Sequence, residues 1–201
     1  MSTGRLEAFS DGVLAIIITV MVLELKPPEG PHFSDLHGSA TSLLTYLLSF
    51  VYIGIYWNNH HHLFQIAQTI DGTVLWANLH LLFWLSLYPF TTNWMDEHFG
   101  RASVVVYGVN LLLAAIAFTI LTRAMMRIPD SRERMQEAFG TDLKGKISPV
   151  LYVTGILLAF VEPWLGLIPF IVVALIWLVP DRRIERYLAA HPPGPGETLG
   201  S

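Results

Sequence analysis

The 201 residues are 53% hydrophobic and 14% charged, where soluble domains average roughly 45–50% and about 25%. A small formal charge of −4 speaks against a nucleic-acid partner, and Cys 0 removes disulfides, thiolate metal sites and thiol nucleophiles. Without charged faces along its apolar stretches, most of the chain is expected to meet lipid, and the expected fold class is an all-α membrane protein.

A helix crosses roughly 30 Å of hydrocarbon with about 20 mostly apolar residues, and six stretches approach that length. The first, 6–25, ends at Lys26-Pro27-Pro28, where two prolines cannot continue a helix. Residues 1–7 lack the basic start and small-residue cleavage site of a secretory signal, so this stretch is expected to be a retained span. The second, 41–66, carries Ser and Tyr among its apolar residues and includes Trp57-Asn58-Asn59-His60-His61-His62. Asp71-Gly72 predicts a turn, and the third stretch, 73–94, contains Pro89. After a polar connection at 96–101 comes the fourth, 102–121, uninterrupted and apolar.

Residues 123–146 are charged, with Pro129-Asp130-Ser131 as a turn and helix-start signal, which predicts a cytoplasmic loop holding one short helix. The fifth and sixth stretches, 147–161 and 164–179, are separated by Glu162-Pro163 and are short for a perpendicular crossing. They are two thin spans if Lys146 and Arg182 snorkel to the interface, and a re-entrant hairpin otherwise. Residues 1–190 thus form one six-helix domain, and 191–201, rich in Pro and Gly, form a disordered tail.

With the N-terminus in the cytoplasm, Arg5, Arg123, Arg127, Arg132, Arg134, Lys144, Lys146, Arg182, Arg183 and Arg186 all fall on that side. Lys26 and Arg101 fall on the other. This asymmetry predicts both termini inside and an even number of spans, six rather than five.

Charge inside a span is costly and marks function by default. Asp11 lies in the first span within Phe9-Ser10-Asp11-Gly12, about one and a half turns after Arg5. A carboxylate near a helix N-terminus is also favoured by the macrodipole alone. Beyond it, Gly12, Ile16, Thr19 and Leu23 recur at spacings of four, three and four, one stripe of a helix that is either a packing face or a special surface.

Arg5-x-x-x-Phe9-Ser10-Asp11 opening an apolar helix resembles the signature of the transmembrane protein 175 family, endolysosomal potassium channels of animals and their bacterial homologues. Trp57-x-x-His60, Asn78, Pro89-Phe90-x-Thr92 and Pro180-Asp181-Arg182-Arg183 are similar to its other landmarks. The resemblance implies a six-helix subunit, a homotetramer in the cell inner (plasma) membrane of a bacterium, and a central pore walled by the first helix. It puts the pore constriction on Ile16, with Thr19 and Leu23 as outer layers and Gly12 on the same stripe. Thr19 offers a hydroxyl oxygen toward a cation; nothing in the chain resembles the carbonyl filter loop of ordinary potassium channels. Arg5, Phe9, Ser10, Asp11, His60 and Asn78 are expected to form a polar network bracing the first three helices, because polar groups in a bilayer must satisfy one another.

Consecutive residues on a helix point about 100° apart, so His60, His61 and His62 do not converge on one metal, and no metal site is expected. Trp57, Trp76, Trp94 and Trp164 fall near span ends as interfacial anchors. Asp96-Glu97 and Glu162 read as loop residues that enrich cations at a pore mouth. Neither a hydrolase nor a nucleotide motif occurs, which argues against an enzyme and against a cofactor other than permeant potassium. The function expected is passive potassium conduction; the alternative is a secondary or proton-coupled carrier in which Asp11 and His60 titrate.

Overall fold

A computed structural model of the chain describes residues 3–28, 30–67, 69–129, 131–132, 134–135 and 143–179. The predicted tail, the Pro180–Arg183 landmark and part of the predicted loop at 123–146 lie outside the described residues. The described part is all-α: α1 (Thr3–Leu23), a 3₁₀ helix (Phe33–Ser39), α2 (Ala40–Ile66), α3 (Gly72–Ser86), α4 (Tyr88–Glu97), α5 (Arg101–Met125), α6 (Leu143–Ala159) and α7 (Pro163–Leu178). Three of these, α1, α2 and α5, are each long and apolar enough to cross a membrane.

The stretch at 73–94 is two helices. Pro89 has no N–H to offer the carbonyl of Leu85, so the ladder breaks and restarts at Tyr88, with Pro89 in the first turn of α4. Together α3 and α4 run the length of one span, and the six-helix bundle stands, with its third member broken. Helix starts follow local chemistry. Asp71 caps α3 by accepting from Val74 N–H at 2.9 Å. Ser103 caps α5 through its own first turn: its hydroxyl accepts from Gly100 N–H at 3.1 Å and donates to the His98 carbonyl at 2.7 Å. Pro163 opens α7, where an N–H would be unpaired in any case.

Helix α5 occupies the centre and packs on α3, α4, α6 and α7, while α1 lies against α2, α3 and α4 at one flank. Phe170 of α7 is the hub of the far flank, with Tyr107 and Tyr152 at ring distances of 6.2 and 6.3 Å. Helices α6 and α7 form an antiparallel hairpin closed at its open end by Lys144, whose ammonium donates to the Val179 carbonyl at 2.7 Å. At 17 and 16 residues and 1.5 Å per residue, each spans about 25 Å. Their crossing is close. A Cβ on Gly155 would lie 2.8 Å from the Gly166 carbonyl oxygen, and one on Gly166 would lie 2.9 Å from that of Gly155.

Candidate functional site

Two faces of α1 differ sharply. Leu6, Ser10, Leu14, Ile17 and Met21 are buried against the bundle. The opposite stripe, Arg5, Phe9, Gly12, Ile16, Thr19 and Leu23, is exposed over the whole helix. Ile16 keeps 63% and Leu23 82% of its surface uncovered, although both are large and apolar. Around Gly12 the subunit leaves open space: a Cβ there would meet no heavy atom within 4 Å. Thr19 donates its hydroxyl proton to the Ile16 carbonyl at 2.9 Å. With that proton committed, the oxygen presents lone pairs only, the form in which a hydroxyl approaches a cation.

The buried face carries a polar core that brings together three of the residues named from the sequence, Ser10, His60 and Asn78. Ser10, fully buried, donates to the Leu6 carbonyl at 2.9 Å and accepts from the Asn78 amide at 2.9 Å. The Asn78 oxygen meets His60 Nε2 at 2.8 Å. Because that amide oxygen is an acceptor, Nε2 carries the imidazole proton and Nδ1 is bare. Three helices, α1, α2 and α3, are thereby joined by one chain of hydrogen bonds in a region where water does not substitute. Asn78→Ala removes both partners at once. The expected cost is about 1–3 kcal/mol for leaving buried His60 and Ser10 unsatisfied, read as a lowered thermal midpoint in detergent; a midpoint equal to that of the parent protein would show that the chain does not brace the helices.

Around this core lies a second layer. Asp11, half-buried, accepts from the Trp57 indole N–H at 3.1 Å, and Glu7 pairs with His61 Nδ1 at 2.5 Å. Gln65 Nε2 reaches the other nitrogen of His61 at 2.8 Å. Both pairs tie α1 to the last turns of α2. Trp57 was expected as an interfacial anchor and as part of the Trp57-x-x-His60 landmark; it lies one turn before His61 on the face that meets α1. Arg5 and Phe9 stand apart from the network: they lie on the exposed stripe with Ile16, and Phe9 is half uncovered. Asp11 and His60 are held by different partners, Trp57 and Asn78. His60, His61 and His62 engage Asn78, Glu7 and Gln65 respectively, and among the described residues no three His, Asp or Glu side chains converge on a common point.

At the opposite end of the bundle, Lys26 follows α1 and pairs with Glu97 at the end of α4 at 2.6 Å. The carboxylate holds the ammonium above its usual range, chiefly through their hydrogen bond, and the ammonium holds Glu97 below its own. Both groups are open to solvent, so the pair positions the loop more than it stabilises the fold. Beside it Ser42 donates to Asp96 at 2.5 Å.

Comparison with known proteins adds to this geometry. Residues 5–89, which include every residue of the stripe and the polar core, match the family described as the endosomal/lysosomal potassium channel TMEM175. A potassium channel of a Chryseobacterium species is 51% identical over 189 residues, spanning 94% of this chain and 98% of that protein. A potassium channel of Chamaesiphon minutus is 32% identical over 177 residues, 82% of this chain and 87% of the relative. In structure, the chain resembles the crystal structure of a lysosomal potassium-selective channel TMEM175 homolog from Chamaesiphon minutus, with a TM-score of 0.71 and 31% identity over 90% of this chain and 97% of that one.

Proposed function

The chain belongs to the TMEM175 family of potassium channels, and from that premise we propose that it conducts potassium passively through a pore that four copies close around their first helices. It is a multi-pass membrane protein and not an enzyme. The reading rests on one observation, the stripe of α1 that its own subunit leaves uncovered. Four such stripes turned to a common axis form rings of Gly12, Ile16, Thr19 and Leu23. Ile16 is the constriction, Thr19 a ring of oxygen acceptors next to it, and Leu23 a further apolar layer. The buried chain Ser10–Asn78–His60, with Trp57–Asp11 and His61–Glu7 outside it, holds α1 at a fixed rotation, so that Ile16 keeps facing the axis. Orientation follows from the Lys and Arg distribution: the Arg5 end is cytoplasmic, both termini lie on the cytoplasmic side of the plasma membrane, and Asp96 and Glu97 face outward.

The test is a single-cysteine series. Ile16→Cys on this cysteine-free chain is expected to form inter-subunit cross-links and to lose single-channel current on modification by a water-soluble thiol reagent applied in a planar bilayer. Leu157→Cys, on an exposed face of α6, is expected to do neither. Ile16→Cys that conducts unchanged after the reagent and yields no cross-linked species would remove α1 from the pore.

A further inference from the structure

Helices α2 and α3 each turn a stripe away from the bundle. On α2 it runs through Val51, Gly54 and Asn58, and on α3 through His80 and Phe83 to Leu87 at the junction with α4. Spacings of three and four keep each set on one helical face, opposite the faces that the bundle buries. His80 and Phe83 are exposed, and the other three side chains are half-buried. At Gly54 the subunit leaves a notch, because a Cβ there would meet no heavy atom within 4 Å.

Both stripes carry a polar group in need of a partner. The Trp84 indole N–H donates to His80 Nε2 at 2.9 Å, so that nitrogen is bare and Nδ1 carries the imidazole proton. Among the described residues that Nδ1–H finds no acceptor, and the Asn58 side chain makes no hydrogen bond. Lipid chains offer neither group a partner.

The two stripes lie at matching depths. Three side-chain pairs, Ser42–Asp96, Ser49–Thr92 and His60–Asn78, set α2 antiparallel to the span formed by α3 and α4. Counted from His60–Asn78 at equal rise per residue, His80 falls level with Asn58, Phe83 within one residue of Gly54, and Leu87 with Val51. Within one subunit the stripes do not meet. Helix α1 packs against both α2 and α3, whereas α2 and α3 approach each other only at isolated points. The subunit is thus a wedge with α1 at its apex, α2 on one side and α3 on the other. Closing four wedges around α1 brings the outer face of α3 in one copy to the outer face of α2 in the next.

We infer that these stripes are the lateral contact between neighbouring copies. His80 Nδ1–H donates to the amide oxygen of the partner subunit's Asn58, and the Phe83 ring fills the notch over the partner subunit's Gly54. Helices in lipid are held together by close approach at small residues and by polar groups paired across the interface; this contact has one of each. The inference rests on the four-copy pore proposed above and adds which faces meet beside it.

The test uses the full-length chain, which has no cysteine of its own, in its membrane. Asn58→Cys combined with His80→Cys, treated with a short bifunctional thiol reagent, is expected to run as a ladder of dimer, trimer and tetramer under denaturing conditions. Each single variant is expected to run as monomer. Gly54→Leu fills the notch from a side that its own subunit leaves open. It is expected to keep the helical content of the parent protein and to lower the tetramer fraction at least tenfold in native mass spectrometry; it serves if the cysteine pair does not assemble. Ile16→Cys that cross-links while the Asn58→Cys, His80→Cys pair does not would overturn the inference and leave the pore reading standing. So would a Gly54→Leu protein as tetrameric as its parent. Failure of Ile16→Cys and of the pair together would overturn both.

Discussion

Ile16→Asn is expected to abolish discrimination between potassium and sodium: under a potassium-to-sodium gradient the reversal potential moves to near zero and the single-channel current rises. In the proposed tetramer the exposed sec-butyl side chain of Ile16 offers an ion no oxygen to replace hydration water. An ion passing such a ring sheds part of its shell, and potassium, whose shell is held more weakly, loses less. A tenfold preference corresponds to about 1.4 kcal/mol between two barriers, so one narrow apolar ring suffices. Asparagine supplies a carbonyl and an amide that compensate either ion and hold water in the constriction, which erases the difference. A variant with the reversal potential of the parent protein would move selectivity to another layer, Thr19 being the next ring.

Gly155→Ala and Gly166→Ala are each expected to destabilise the α6–α7 hairpin by about 1–3 kcal/mol, the usual range for overpacking a close-packed interior. Each added methyl points at a backbone carbonyl of the opposing helix at 2.8 or 2.9 Å, and a backbone moves aside only if the helices separate. Separation unseats Phe170, which fills the space beneath Gly108 and Gly155 and touches Tyr107 and Tyr152. The two substitutions strain one crossing, so the double variant should lose less than the sum of the singles. Thermal unfolding in detergent measures all three. At Gly108 the obstacles are side chains, Phe170 and Ile156, so Gly108→Ala should cost less; equal melting of Gly155→Ala and the parent would show that the close crossing does not hold the hairpin.

That Gly12, Ile16, Thr19 and Leu23 share one stripe of α1 was legible from their helical spacing, and Asp11 at its start demands an explanation inside a membrane; that the stripe is exposed rather than packed was not. Ser10, His60 and Asn78 were legible as groups in need of partners, since hydrogen-bonding capacity belongs to the residue type. The break at Leu87 was visible as Pro89, though not as a division into two helices. Which partner each group takes was not legible. Trp57 holding Asp11, Glu7 holding His61, and Arg5 and Phe9 turning outward depend on how α1 is rotated against α2.

The same boundary holds for Ser42, Thr45, Ser49, Tyr52, Tyr56 and His60, a polar stripe along one face of α2. Its Ser, Thr and Tyr residues recur regularly in the primary structure, yet only the packing of α4 and α5 against them makes an enclosed seam of Ser49, Thr92 and Tyr107. Spacing along one helix assigns residues to faces, and the number of apolar stretches assigns the class of fold; both are local quantities and were determined by the sequence alone. Lipid chains are as apolar as a protein core, so hydropathy does not distinguish a face turned to lipid from one turned to another helix. That choice rests on close fit between helices distant in the chain, as at Gly155 and Gly166, and on pairing of the few polar groups, as at Asn78, and only the tertiary structure decided it.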